Sequence, residues 1–309
     1  MTAPATETWT TRKLLAWMNK AFVTKGLDQP RLLSEMLMAH VVGCERLRLY
    51  TDADRPASPM ERDMLRDLVG RALKHEPVQY LVGSGWFFGL EFKTDRRALI
   101  PRPSTETIIE HVLQHHRASH GPSNQTGEGL LIADVCTGSG VIAVTLAKRL
   151  PLARLVATDL SPDAVGLAKE NAARHAVADR VTFLTGDLLR ALAEFPATAG
   201  EHSLDYLVSN PPYIPDNEWD AVEPNVKEHE PHLALRGGAD GLDLARRLLA
   251  DGPKLLKPGG VLLIEVADAS AEKASAIAAA HPLLTDVKIL RDFENLKRVI
   301  VGVAPRARG

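Results

Sequence analysis

Cysteine is nearly absent from this chain, with only Cys44 and Cys136 among 309 residues. Two residues cannot build a disulfide framework, and a chain this long buries enough apolar surface to need none, so both are expected as free thiols in the reducing cytoplasm. Long hydrophobic runs are missing too. Leu155-Val156-Ala157 and Val261-Leu262-Leu263-Ile264 fall far short of the ~18 residues that cross a bilayer. The first twenty residues are broken by Glu7, Arg12, Lys13 and Lys20, which excludes a secretory leader core. Neither charge sign is in excess: 37 Lys and Arg against 39 Asp and Glu give a formal net charge of −2. A domain that grips nucleic acid through phosphates usually has a pI above about 9, so no stable nucleic-acid partner is expected. His111 and His115 share a helix face, but no H-E-x-x-H spacing accompanies them, so no metal is expected either. What remains, 45% hydrophobic and 25% charged residues, is the mixture of a globular protein, and at about 100–200 residues per domain the length suits two domains.

The chain changes character twice. Over residues 1–75 apolar side chains recur every three or four positions (Leu14, Met18, Phe22; Leu33, Met36, Leu37; Leu65, Leu68, Val69, Leu73), which predicts a small helical domain. Ser58-Pro59-Met60-Glu61 supplies the serine, first-turn proline and reciprocal glutamate of a capping box. Residues 76–104 read as a hairpin linker, with Phe87, Phe88 and Phe92 around Gly89. From 105 to 309 a helix over Thr105–His116 and a loop over Ala118–Gly129 precede apolar strands alternating with helical stretches, the pattern of an α/β domain with a mostly parallel sheet. Its last two strands, Val287–Leu290 and Arg298–Val303, have no helix between them and are expected to pair antiparallel.

The first strand of that domain runs into Asp134-Val135-Cys136-Thr137-Gly138-Ser139-Gly140, and a helix follows at once. Glycines here let the backbone turn tightly and approach a ligand. Asp159 ends the second strand, 25 residues after Asp134, where a carboxylate can accept both hydrogens of a ribose diol. Leu160 follows it. Asp187, followed by Leu188, ends the third strand and is placed to accept from an adenine amino group. A nicotinamide cofactor fits the glycine pattern loosely, but an acid within the loop is a poor neighbour for pyrophosphate and a good one for cations. S-adenosyl-L-methionine, with ribose, adenine, ammonium and sulfonium and no pyrophosphate, suits the set better.

Directly after the fourth strand stands Asn210-Pro211-Pro212-Tyr213. Two prolines force the chain out of the sheet as a stiff extended loop. An amide or aryl-amine nitrogen is a poor nucleophile because its lone pair is delocalised, so it must be oriented before it attacks a methyl group. The Asn210 side-chain carbonyl and the Pro211 main-chain carbonyl can each accept one hydrogen of an NH₂ group, aim its lone pair and stabilise the positive charge that develops. Tyr213 is expected to pack against the planar acceptor.

With these motifs in place the chain resembles the HemK/PrmC family of protein-(glutamine-N5) methyltransferases. The likeness includes Pro77-Val78-Gln79-Tyr80-Leu81-Val82-Gly83, Ile100-Pro101-Arg102-Pro103-Ser104-Thr105-Glu106, Glu230-Pro231 through Leu235, Gly237-Gly238 and Asp240-Gly241-Leu242. The resemblance implies a Rossmann-like class I methyltransferase sheet with an antiparallel last strand, preceded by a helical domain that helps to dock the substrate. It also implies methylation of the Gly-Gly-Gln glutamine of class I peptide chain release factors by a cytoplasmic monomer. Carried over by position, it makes Asp134, Cys136, Thr137, Gly138, Ser139, Gly140, Asp159, Leu160, Asp187, Leu188 and Asn210 cofactor contacts, with Phe87 and Arg102 beside the cofactor or substrate. It makes Asn210, Pro211, Pro212 and Tyr213 the glutamine site. The chain departs from the family at Cys136 and Ser104, where glycine and aspartate are usual, and across Val266–Ser270 and Asp292–Arg298. Other readings of the same loop are an adenine-N6 or cytosine-N4 nucleic-acid methyltransferase, a paralogue acting on another amide or amine, and a non-catalytic cofactor-binding protein.

Overall fold

A computed structural model describes residues 8–121, 125–198 and 200–306. The chain divides into two compact units, Met1–Gly83 with Pro224–His229, and Ser84–Glu223 with Glu230–Gly309. In the first, helices Thr11–Lys25, Pro30–Val42 and Pro59–Ala72 bury the periodic side chains, with Met18, Phe22, Leu37 and Leu65 fully enclosed. Gly26 and Gly43 end the first two in the left-handed conformation. The capping box forms as expected: the Ser58 hydroxyl accepts from Glu61 N (3.2 Å) and the Glu61 carboxylate accepts from Ser58 N (2.7 Å). The helical unit runs past residue 75, because a short helix at Val78–Val82 buries Val78 and Leu81 in the same core before Gly83.

The hairpin is confined to β1 (Ser84–Phe87) and β2 (Leu90–Lys93) and belongs to the second unit. There a seven-stranded sheet is built from β3 (Leu131–Val135), β4 (Arg154–Asp159), β5 (Val181–Thr185), β6 (Leu204–Ser209), β7 (Leu256–Glu265), β8 (Thr285–Arg291) and β9 (Lys297–Val303). Its order is β5-β4-β3-β6-β7-β9-β8. Strands β3 to β7 are parallel, while β9 inserts between β7 and β8 and runs antiparallel to both. Successive side chains alternate between faces. Ile132, Leu155 and Val208 thus pack with Ile108, Ile142 and Leu146 of the helices on one side, and Ala133, Val156 and Leu207 with Leu192, Leu248 and Ala274 on the other.

Two helix readings change. The helix before β3 is Glu106–His120, longer than the periodicity suggested, and of the expected loop the residues 122–124 lie outside those described. The second lies among the helical stretches expected between strands, where Leu242–Leu256 reads from the sequence as one helix and is not. It is helical over Asp243–Asp251 and tightens to a 3-10 turn at Gly252–Leu255, where Pro253 offers no N–H for a continuing α-helix. Among the described residues no helix is long and apolar enough to cross a membrane. Because β3 to β7 are parallel, their carboxyl ends share one edge, and the connections depart in opposite directions on either side of the β3/β6 pair. Such a switch point opens a crevice above the strand ends.

Candidate active site

The loop after β3 holds three residues in the left-handed conformation: Cys136 (φ 63°), Gly138 (φ 56°) and Gly140 (φ 82°). A Cβ on Gly140 would lie 3.0 Å from Ala168 Cβ and 3.2 Å from Ala168 Cα, so glycine lets the loop close onto helix Pro162–Arg174. A Cβ on Gly138 would meet nothing nearer than Ala98 Cβ at 4.0 Å, so its absence leaves space in the crevice. The buried Asn171 amide ties this loop to the hairpin: Nδ2 donates to Ser139 O (2.9 Å) and Oδ1 accepts from Lys93 N (2.8 Å).

Asp134 lies beneath the loop and does not line the crevice. Its Oδ2 accepts from Thr137 Oγ1 (2.7 Å) and Ala143 N (3.1 Å), while Oδ1 is buried with no hydrogen-bond partner. Burial pushes its carboxyl up to about 7. A carboxyl raised above its unfolded value of ~3.9 favours the folded state while it stays protonated, and that contribution is lost as pH rises through the folded-state value. Between about pH 4 and 7 the melting temperature is therefore expected to fall with pH more steeply in the wild type than in Asp134→Asn, read by thermal-shift titration. Parallel slopes would remove Asp134 as the cause. Cys136 does line the crevice, and burial, then the neighbouring Asp159 charge, push its thiol upward, so it remains protonated.

Asp159 emerges at the end of β4 with both oxygens held by backbone: Gly138 N donates to Oδ2 and Ser161 N to Oδ1, each at 2.9 Å. It does not cap the following helix, since the Ser161 hydroxyl does so by accepting from Ala164 N (3.2 Å). Each carboxylate oxygen keeps a lone pair for a ligand. Asp187 also borders the crevice and is paired with Arg247 at 2.6 Å, which holds its carboxyl below the usual range. Leu160 and Leu188 stand beside these two acids, at the mouth and wall of the same crevice.

The Asn210-Pro211-Pro212-Tyr213 loop leaves β6 above the glycine loop. Asn210 Nδ2 donates to Thr105 Oγ1 at 3.0 Å, while neither Asn210 Oδ1 nor the Pro211 carbonyl receives a hydrogen bond among the described residues. Burial, followed by the Glu265 charge, raises the Tyr213 hydroxyl to about 12, so it stays neutral. The segment Gly237–Gly241 supports this loop from behind. Ile214 N donates to Leu235 O and Gly237 N to Ile214 O, each at 2.9 Å. A Cβ on Gly237 would lie 2.7 Å from Tyr213 Cα and 2.8 Å from Pro212 O.

Together these elements enclose a cleft with about 1000 Å³ of empty space, its open mouth included. Cys136, Thr137, Gly138, Ser139, Asp159, Leu160, Asp187, Leu188, Asn210, Pro212 and Arg102 line it. Asp134, Gly140, Pro211, Tyr213 and Phe87 are not on its wall. Gly140 instead begins the next helix. Phe87 packs edge-on against Phe92 with centroids 6.3 Å apart and is 1% exposed, so its ring serves the hairpin's core. Residue types and spacing also missed three residues. Glu230, fully enclosed, accepts from Ile100 N (2.9 Å) and Arg102, fixing the Arg102 wall; the only signal was Glu230-Pro231 in the family likeness. Thr105 grips Asn210 from 105 positions away. Glu265 sits buried at the end of β7, its Oε1 accepting from Ser104 Oγ at 3.2 Å. Among the described residues no group of three or more His, Cys, Asp and Glu is arranged to hold a metal.

A parallel sheet completed by an inserted antiparallel strand, with a glycine loop, an acid after each of the next two strands and an Asn-Pro-Pro-Tyr loop at one edge, defines a class I methyltransferase. Residues 13–83 match the PrmC N-terminal domain family and residues 122–239 the methyltransferase small domain family. A release factor glutamine methyltransferase of Chlorobaculum tepidum is 39% identical over 296 residues, covering 96% of this chain and 97% of that one. That of Geobacter sulfurreducens is 41% identical over 266 residues, covering 86% and 87%. The chain belongs to the release factor glutamine methyltransferase family.

Removing the Asp159 carboxylate is expected to weaken cofactor binding by roughly tenfold to a hundredfold, the scale of lost hydrogen bonds to a charged group. Calorimetry on Asp159→Ala measures it. An unchanged affinity would leave Asp159 only the local task of holding Gly138 and Ser161.

Proposed function

We propose that this protein transfers a methyl group from S-adenosylmethionine to the side-chain nitrogen of the glutamine in the Gly-Gly-Gln motif of a class I release factor. The observation that carries this reading is the pair of unengaged acceptors at Asn210 Oδ1 and Pro211 O, beside an Asn210 NH₂ already committed to Thr105. A primary amide has two N–H donors, and two acceptors held at fixed positions orient it as one flexible acceptor cannot.

The cleft fits the cofactor on its own terms. Asp159 offers two oxygens with spare lone pairs to a ribose diol, Gly138 keeps the space in front of it open, and Asp187 and Leu188 would border the adenine. Bound there, the cofactor supplies a methyl group on a sulfonium, activated toward a weak nucleophile. The chain's own residues do the rest. Asn210 and Pro211 draw electron density toward the amide nitrogen through its two hydrogens and hold its lone pair in one direction. As the nitrogen becomes positive the same two acceptors stabilise it without reorganising. The proton is far more acidic once the nitrogen is alkylated, so no strong base is needed before transfer, in keeping with a neutral Tyr213. Arg102, Pro231 and Leu233 border the opening by which the glutamine would enter.

The helical unit, matching the PrmC N-terminal domain over residues 13–83, is assigned to recognition of the protein substrate. Incubation with labelled cofactor and either release factor or its Gly-Gly-Ala variant, followed by mass spectrometry, tests the reading. Label is expected on the glutamine alone, with a higher KM for a short Gly-Gly-Gln peptide than for the whole factor. Label on both proteins, or on nucleic acid instead, would overturn it.

A further inference from the structure

Among the described residues lining the cleft, only Arg97 and Arg102 are basic, and their donors are spent differently. Arg97 commits all three guanidinium nitrogens to neighbouring acids. Its Nε and Nη2 donate to Asp95 at 2.9 and 2.8 Å, and its Nη1 and Nη2 to Glu170 at 2.8 and 3.1 Å. Arg102 donates through Nη2 alone, to Glu230, and among the described residues its Nε and Nη1 meet no acceptor. The Arg102 side chain is 31% exposed, so those donors are open to a ligand.

The surrounding chain fixes this guanidinium. Pro101 and Pro103 stand on either side of Arg102. A residue before proline is confined to extended backbone, and Arg102 has φ −105° and ψ 135°. Glu230, fully enclosed, holds the segment twice: Oε2 accepts from Ile100 N at 2.9 Å and Oε1 from Arg102. The two arginines are also tied to different parts of the cleft. Glu170, which takes Arg97, belongs to the helix Pro162–Arg174 that follows Asp159. Arg102 O accepts from Thr105 N at 3.1 Å, and Thr105 Oγ1 accepts from Asn210 Nδ2 at 3.0 Å, so a single 3-10 turn joins Arg102 to the residue that grips Asn210.

We propose that Arg102 binds the main chain of the substrate, its unspent N–H groups donating to the carbonyl of the glycine that precedes the glutamine. The inference deepens the proposed reaction and rests on it. Two glycines offer no side chain to read, so a site that recognises them must use backbone groups and the room that missing Cβ atoms leave. A guanidinium presents its donors as a rigid planar fork, and one already held by an acid loses little freedom on binding. The acid also selects the kind of acceptor. Arg102 and Glu230 together carry no net charge. An anionic ligand would bring a second negative charge against the enclosed Glu230, whereas a peptide carbonyl brings only a dipole.

A coupling measurement on the full chain tests this. Binding of a Gly-Gly-Gln peptide, with S-adenosylhomocysteine present so that nothing turns over, is compared by calorimetry in wild type and Arg102→Lys. The lysine keeps a cation for Glu230, so the fold is expected to hold, but it gives up the fork. Peptide affinity is expected to fall roughly tenfold to a hundredfold, the scale of a lost hydrogen bond from a charged group, with affinity for S-adenosylmethionine within about twofold. An ester in place of the amide bond between that glycine and the glutamine then weakens the carbonyl as an acceptor. The ester is expected to cost wild type several-fold in affinity and Arg102→Lys almost nothing. The N–H that it also removes is missing in both comparisons and cancels. An ester penalty of equal size in the two enzymes, or an unchanged peptide affinity, would overturn the assignment. So would a fall in cofactor affinity with peptide binding intact, which would put the guanidinium on the cofactor's carboxylate. A wild type that binds the peptide and methylates no glutamine would overturn the proposed reaction instead.

Discussion

Asn210→Ala is expected to lower kcat by roughly 10³-fold while the cofactor dissociation constant stays within about twofold. The substitution removes Oδ1, one of the two unengaged acceptors, and frees the Thr105 hydroxyl that had held the amide. In the proposed reaction, methyl transfer to an amide nitrogen would gain from these acceptors mainly in the transition state, where the nitrogen becomes positive, so the loss is expected on kcat rather than on binding. The cofactor's proposed anchors at Asp159 and Gly138 come from other loops and are untouched. Single-turnover methylation beside calorimetry separates the two quantities. Equal losses in both would mean that Asn210 serves the cofactor and not the glutamine.

Gly237→Ala is expected to cost roughly 1–3 kcal/mol of stability, the usual range for overpacking, and about 10²-fold in kcat, although the residue is not on the cleft wall. The added carbon would meet Tyr213 Cα at 2.7 Å, and Gly241 O and Pro212 O each at 2.8 Å. All three obstacles are backbone, so no side chain can rotate away. The Asn210-Pro211-Pro212-Tyr213 loop itself must move, and with it the spacing of the two acceptors. Gly43→Ala is the comparison: its φ is 70°, but no atom lies within 4 Å of the added carbon, so it is strained without a clash, and it belongs to the helical unit. A Gly237→Ala enzyme with wild-type kcat would show that the loop tolerates displacement.

These effects differ in how far the sequence foretells them. The Ser58 capping box, the helix Val141–Arg149 and the strand ends at Val135, Asp159 and Ser209 were legible because each depends on residues a few positions apart. That Asp159 and Asn210 come to the cleft wall was legible for a similar reason: each directly follows or ends a buried strand whose direction the alternating pattern implies. Ser104 remains a departure from the family, and here its hydroxyl meets Glu265. The Asp292–Arg298 departure forms a closed turn, with Asp292 Oδ1 accepting from Glu294 N (2.9 Å) and Leu296 N (3.0 Å). Nothing in the structure explains why cysteine stands at position 136 with φ 63°.

By itself, the sequence determined the helical and α/β character of the two units, the sharp turns at Gly138 and Gly140, and the methyltransferase family to which the chain belongs. Side-chain type and local spacing are enough for those. Only the tertiary structure decided that Asp134 turns beneath its loop, that Phe87 belongs to the core, that β9 slips between β7 and β8, and that Thr105 stands behind Asn210 and Ser104 beside Glu265. The physical reason is common to all four. The direction of a side chain, and the protonation of a buried one, are set by partners that only packing brings within reach, here across separations as long as the 161 positions between Ser104 and Glu265.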